Sequence, residues 1–189
     1  MLEKNLVLFG ETHGYLDEDH IRERALKKLK PDYILYELLE NKMLRTQQEK
    51  STFLDQPDEK QFSIISTYGE LKTLVGLGLE LSIPIIGCDL KNTGRKSTEF
   101  KEDEQELMKK RQKHQYNIIK DYASKGTVFV SIGIYHLFPQ SKLIQNLKKS
   151  EQRFTLLLPF DKEGNVFGTK SESKEVNYES TNGEYELEN

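Results

Sequence analysis

The strongest constraint on this 189-residue chain is an alternation. Short apolar, β-rich runs are separated by helix-like stretches, and four of the runs end in ionisable residues. Residues 6–9 lead into Gly10-Glu11-Thr12-His13, and residues 128–132 lead into Gly133-Ile134-Tyr135-His136. Residues 33–36 end in Glu37, and residues 85–88 end in Asp89. Between the first two runs, residues 17–30 carry acids first and basic residues last, with an apolar stripe at Ile21, Ala25, Leu26 and Leu29. They read as a helix stopped by Pro31. Further helices are expected from about Thr67, where Thr67 and Glu70 have capping-box spacing, then over about 99–124 and over 139–149. Gly76 and Gly78 weaken the middle of the first of these. Residues 38–61 are polar and suggest a helix followed by a mobile excursion. Residues 154–158 add a fifth strand. The pattern predicts an α/β fold: a mainly parallel central sheet of about five strands with helices on both faces. The C-terminal ends of such strands are where ligands bind.

The expected domain spans residues 1–160, with 161–189 as a C-terminal extension. Asn182-Gly183 sits between alternating segments there. The extension reads either as an antiparallel hairpin on the sheet edge or as a disordered acidic tail.

Hydrophobic residues make up 35% of the chain and charged residues 31%, with a net charge of −3. Lysines near 101–113 alternate with glutamates, as on a solvated helix face, so no nucleic-acid partner is expected. The single cysteine, Cys88, excludes an internal disulfide and a thiolate metal cluster. No run approaches the ~18 apolar residues of a membrane span, and the N-terminus lacks signal-peptide character. The expected protein is therefore cytoplasmic, with no membrane partner.

Glu11 and His13, two residues apart at a strand end, suit metal ligation or acid–base work. They also suit a helix-capping acid beside a solvated histidine. His136 reads either as a site residue or as a core histidine satisfied by a carbonyl. A carboxylate at Glu37, directly after a buried strand, needs a cation, a metal or both, and Glu40 could join it. Asp89 fits the same role or an Asx-turn. Arg111 within the long helix reads by itself as a surface ion pair, and His20 and His114 read as surface residues. Cys88 is expected to be buried. Walker, Gly-x-Gly-x-x-Gly, His-Glu-x-x-His and Gly-x-Ser-x-Gly motifs are absent.

Taken in order, Gly10-Glu11-Thr12-His13, Glu37, Arg111-Gln112 and Gly133-Ile134-Tyr135-His136-Leu137 resemble one superfamily. It joins the erythromycin-esterase-like proteins, the haem-binding ChaN-like lipoproteins and the TraB/Tiki-type metalloproteases. The resemblance covers roughly residues 5–158. It implies a compact α/β domain with one polar pocket lined by His13, Glu37 and His136, with Glu11, Asp89 and Arg111 around them.

The first functional expectation is a small hydrolase of the protease, peptidase or esterase type, acting on a small molecule or peptide. Water would be activated by His13 and Glu37, with or without a divalent metal, Mn or Zn, on His13, Glu37 and His136. Arg111 would neutralise an oxyanion or fix a carboxylate. The alternative is a non-catalytic haem-binding protein, with His13 or His136 as axial ligand and Tyr135 as a candidate partner. A third reading is a toxin or signalling module using the acidic tail as its contact surface.

Overall fold

The computed structural model describes residues 6–12, 17–56, 68–90, 104–160 and 177–181. Its core is the expected parallel sheet. The strands are β1 (Leu6–Glu11), β2 (Tyr33–Tyr36), β4 (Ile85–Gly87), β5 (Val128–Gly133) and β6 (Thr155–Phe160). Two antiparallel edge strands, β3 (Met43–Leu44) and β7 (Asn177–Thr181), complete the order β3-β4-β2-β5-β1-β6-β7. Among the described residues the sheet thus holds the five expected parallel strands and two antiparallel edge strands. Every residue of β1 and β5 is buried, as in a parallel strand covered on both faces.

The helices are α1 (Asp17–Leu29), α2 (Gln47–Leu54), α3 (Tyr68–Glu80), α4 (Glu104–Ala123) and α5 (Lys142–Lys149). The chain first moves from β1 to β2 and β4. Leu26 of α1, Phe53 of α2 and Leu71 and Leu74 of α3 pack with Phe9, Ile34 and Phe129 on one face. It then returns through β5 to β6. Ile119 of α4 and Leu143, Ile144 and Leu147 of α5 pack with Leu8, Leu35 and Val130 on the other face. Right-handed crossovers that travel in opposite directions must cover opposite faces. Neighbouring strands β1 and β5 thus send their chains to opposite sides. This makes the strand ends carrying Glu11 and Gly133 the switch point, where folds of this kind place their ligand crevice.

Three expectations change. Residues 38–56 are not one helix but a 3-10 turn (Glu37–Leu39), the short strand β3 and α2; the expected excursion beyond residue 56 lies outside the described residues. Thr46 begins α2 with a capping box to Glu49, which satisfies free N–H groups at its start. The helix over 139–149 shortens to α5, because a 3-10 turn (Ile134–Leu137) precedes it and Ser141 caps it. β7 pairs with β6, aligning Pro159 with Tyr178, so the edge addition is a strand from the expected extension; residues 182–189, with Asn182-Gly183 among them, lie outside the described residues.

Gly78 does not break α3, and a Cβ there would meet the Ile85 side chain at 2.5 Å. The glycine lets the helix settle onto the sheet. Beside it, the Lys50 ammonium is buried and donates to the Gly78 and Ile83 carbonyls at 3.0 and 2.8 Å. Burial lowers its pKa. Lys50→Met is expected to cost about 1–3 kcal/mol by stripping a charged donor from buried carbonyls. Urea unfolding checks this, and an unchanged midpoint would count against that role. Among the described residues, no helix is long and apolar enough to cross a membrane.

Candidate active site

Two buried ionic clusters sit at the C-terminal edge of the sheet. The larger gathers four of the sequence-predicted residues. Glu37 opens the 3-10 turn after β2, Asp89 follows β4, Arg111 lies in α4, and His136 lies in the 3-10 turn after β5. Glu37, Asp89 and His136 are all at most 4% exposed.

Arg111 organises the cluster. Its Nε lies 3.1 and 3.0 Å from the two Asp89 oxygens, and its Nη2 lies 2.6 Å from Asp89 Oδ2. The same Nη2 lies 2.6 Å from Glu37 Oε1. The guanidinium fork suits this bridging of two carboxylates, which a lysine could not reproduce. Nη1 has no hydrogen-bond partner among the described residues. The solvated surface ion pair suggested by the local sequence is thus a largely buried bridge.

The Glu37 carboxylate is fully used. Oε1 meets Arg111 and lies 3.3 Å from His136 Nε2, and Oε2 accepts the Gly133 N–H at 2.6 Å. Burial alone would raise its pKa. His136, Arg111 and the Gly133 N–H outweigh burial and hold the carboxyl well below its usual range. A carboxylate that acidic, with both oxygens engaged, is a poor proton acceptor. Burial works against the charge on Arg111 too, but Asp89 and Glu37 raise its pKa above the usual value.

A carboxylate only accepts hydrogen bonds, so the His136 nitrogen facing it carries the proton. The other ring nitrogen, Nδ1, is buried and has no hydrogen-bond partner among the described residues. His136 is therefore not the carbonyl-satisfied core histidine that its sequence also allowed. Its backbone carbonyl accepts from Ser141 Oγ at 2.7 Å, which ties the turn to the start of α5. Gln112 Oε1 accepts from the Lys142 N–H at 2.7 Å, tying α4 to the same point.

Close backbone packing sets Glu37 beside Asp89. The Glu40 carbonyl accepts from the Asp89 N–H at 3.2 Å, with Glu40 at φ 52°, a conformation L-residues rarely adopt. Glu40 thus contributes its backbone to this junction. Gly87 makes the approach feasible, since a Cβ there would lie 1.9 Å from the Glu40 oxygen. Gly87→Ala is expected to push the Glu37 turn off β4 and destabilise by about 1–3 kcal/mol. Thermal unfolding tests this; a variant as stable as wild type would mean that the turn yields freely. Asp89 also accepts the Leu90 N–H at 2.8 Å, so it serves the local turn as well as Arg111.

The second cluster was not foreseen. Glu11 is ion-paired to Arg22 of α1 and hydrogen-bonded by the Ser131 hydroxyl of β5. By strand alternation Glu11 continues the face of Val7 and Phe9, the side covered by α1, whereas α4 covers the other side. Arg22 is 2% exposed and sits four residues before buried Leu26. A basic residue on an apolar helical stripe was the sequence signal for a buried carboxylate partner. Gln115, wholly buried one turn beyond Arg111 on α4, was also missed.

His13 lies outside the described residues. Among the described residues, no three His, Cys, Asp or Glu side chains are grouped to hold a metal ion. The donors do not fit one by themselves either. Both Glu37 oxygens are engaged, and Arg111 grips Asp89 and would repel a cation beside it. Haem ligation finds no convergent pair in the described residues: His136 is buried against Glu37, while Tyr135 is 64% exposed with its ring edge-on to Phe138. Cys88 is buried as expected. Burial, then the Glu37 and Asp89 charges, pushes its thiol well above the usual range, which removes it as a nucleophile. His20 is exposed and His114 half-buried.

No family model matches the chain, and no curated protein matches it. Among solved structures it is similar to RRSP, a MARTX toxin effector domain from Vibrio vulnificus CMCP6. The TM-score is 0.48 and the identity 19%, over 82% of this chain and 33% of that one. It is also similar to a chain described under bacterial protein toxins, with a TM-score of 0.49 and 19% identity, over 94% of this chain and 36% of that one. The chain thus spans about a third of the length of these proteins. Neither likeness is close enough to carry a function over.

Proposed function

We propose that the protein is a hydrolase that activates water with His136, and that Glu37, Arg111 and Asp89 form the frame holding that histidine. The observation carrying this reading is the Glu37–His136 pair. One imidazole nitrogen is fixed on a carboxylate, and the other is buried with no partner among the described residues. A histidine so held presents a lone pair in a fixed direction, as a general base requires. His136 Nδ1 takes a proton from water, and the oxygen adds to an ester or amide carbonyl. Arg111 would neutralise the negative oxygen that forms through Nη1, while Nε and Nη2 stay on the carboxylates. The protonated imidazole then returns its proton to the leaving oxygen or nitrogen.

This assigns Glu37 a holding role, because its low pKa and saturated oxygens make it a weak base. His13 would join the site from the segment after β1. The resemblance to the erythromycin-esterase-like, ChaN-like and TraB/Tiki superfamily agrees with the reading and remains part of the proposal. So do the cytoplasmic location and the choice of a small-molecule or peptide substrate.

The test is a panel of ester, amide and peptide substrates, run with wild type and His136→Asn. Hydrolysis by wild type that the variant loses supports the reading; hydrolysis retained by the variant refutes it. Elemental analysis of the same preparations, with a His13→Ala/His136→Ala variant, addresses the metal-dependent form. Near-stoichiometric Mn or Zn lost in that variant would place an ion beside these histidines. A Soret shift on adding haem would instead favour the haem-binding alternative.

A further inference from the structure

We propose that a groove between α4 and α5 is a binding site for a small, multiply phosphorylated anion. The groove is a cavity of about 510 Å3 lined by Lys109, Lys110, Lys113, Lys142 and Lys149, with Tyr116 among its other residues. That volume lies within the ~300–1,000 Å3 usual for small-ligand sites. Among the described residues no carboxylate lines it, although acidic residues outnumber basic ones in the chain, 31 to 28. Lys109 is bridged to Glu106 at 2.5 Å; Lys113, Lys142 and Lys149 have no ion pair among the described residues.

Helix stability accounts for Lys149, in the last turn of α5, but not for Lys113 or Lys142. Lys142 is the first residue of α5, just after the Ser141 cap, where the helix dipole disfavours a cation. Lys109 and Lys113 are four apart on α4, and Lys110 and Lys113 three apart, so like charges crowd one face. Both arrangements cost stability, and both bring lysines to the wall of one concave space. An anion bound there would relieve the repulsion and bridge the two helices.

The spacing indicates the class of anion. Lys142 and Lys149 begin and end α5, about 10 Å apart along its axis at the usual rise per residue. A single phosphate is too small to meet both ends while also reaching Lys113 on α4, whereas a chain of phosphates can span them. The concave shape suits a free soluble ligand better than a flat lipid surface. The proposal does not rest on the reading of the His136 cluster as a hydrolase site.

Isothermal titration of the full chain with inorganic tripolyphosphate, and separately with orthophosphate, tests the assignment. The variant is Lys113→Gln/Lys142→Gln/Lys149→Gln, and Lys28→Gln/Lys30→Gln/Lys125→Gln is its charge-matched control. Tripolyphosphate should bind at least about tenfold more tightly than orthophosphate, and the groove variant should lose at least about tenfold, as expected for charged hydrogen bonds. The control should keep wild-type affinity. The groove variant should melt no lower than wild type, because repulsion is removed. Equal losses in both variants would reduce the effect to net charge and overturn the proposal. So would absence of tripolyphosphate binding, or binding only to vesicles containing phosphatidylinositol bisphosphate.

Discussion

Replacing Arg111 with methionine is expected to destabilise the protein by about 3–5 kcal/mol at neutral pH, the range for removing one partner from a buried ion pair. The side chain holds both Asp89 oxygens and one Glu37 oxygen. Without it, two buried carboxylates face each other with a single nearby histidine. Methionine preserves much of the volume, so the loss reports the charge rather than a cavity. Lysine should recover only part of the stability, because a point charge cannot grip both carboxylates as the planar fork does.

The pH dependence sharpens this test. In wild type the folded-state pKa of Glu37 is depressed. Its ionised form therefore contributes stability that is fully present above the unfolded carboxylate value and is lost as pH falls through the folded one. Arg111 is one of the groups that depress it. In the variant, burial weighs more heavily and the carboxyl protonates more readily, which relieves the unpaired charge. The difference between variant and wild type should therefore be largest near neutral pH and shrink towards about pH 4.5, close to the unpaired carboxylate range. Urea unfolding at the two pH values measures it. A penalty that is small and constant with pH would mean that water already screens the bridge.

His136→Asn carries the second large expected effect: a loss of about 10²–10⁴ in kcat, the usual contribution of a positioned acid–base group. Asparagine can still donate towards Glu37 but cannot accept and return a proton at the Nδ1 position. KM should change little if the histidine acts on water rather than on substrate. The fold should persist, since Arg111 and the Gly133 N–H still hold Glu37. An equal loss in kcat after Ser141→Ala would argue that the His136 turn is only a structural support, since that change loosens the turn and leaves the imidazole in place.

Much of this was legible because a parallel sheet writes itself into sequence. A strand covered on both faces must be apolar throughout, and its exit must turn. Runs such as 128–132 followed by Gly133 therefore announce both a strand and its functional end. Glu37 and Asp89 stood out for the same reason: a carboxylate closing an apolar run has to find a partner. β3 was not legible, because a two-residue edge strand has no period to detect. Nor was the 3-10 turn at Glu37, which depends on the Glu40 carbonyl packing against Gly87 from a distant strand.

The family resemblance, not the local sequence, pointed to Arg111; the sequence by itself determined the alternation, the parallel core and three of the residues that meet at the strand ends, Glu37, Asp89 and His136. Each follows from local burial: period, turn residues, and an ionisable group placed where apolar chain stops. Only the tertiary structure decided how the charges divide. It set Glu11 with Arg22 and Ser131 on the α1 face, and Glu37 with Asp89, Arg111 and His136 beneath α4. It also turned Glu37 from a presumed base into a saturated anion. Charge pairing depends on which distant side chains burial brings within about 3–4 Å, and on how far water is excluded between them. Spacing along a chain encodes neither.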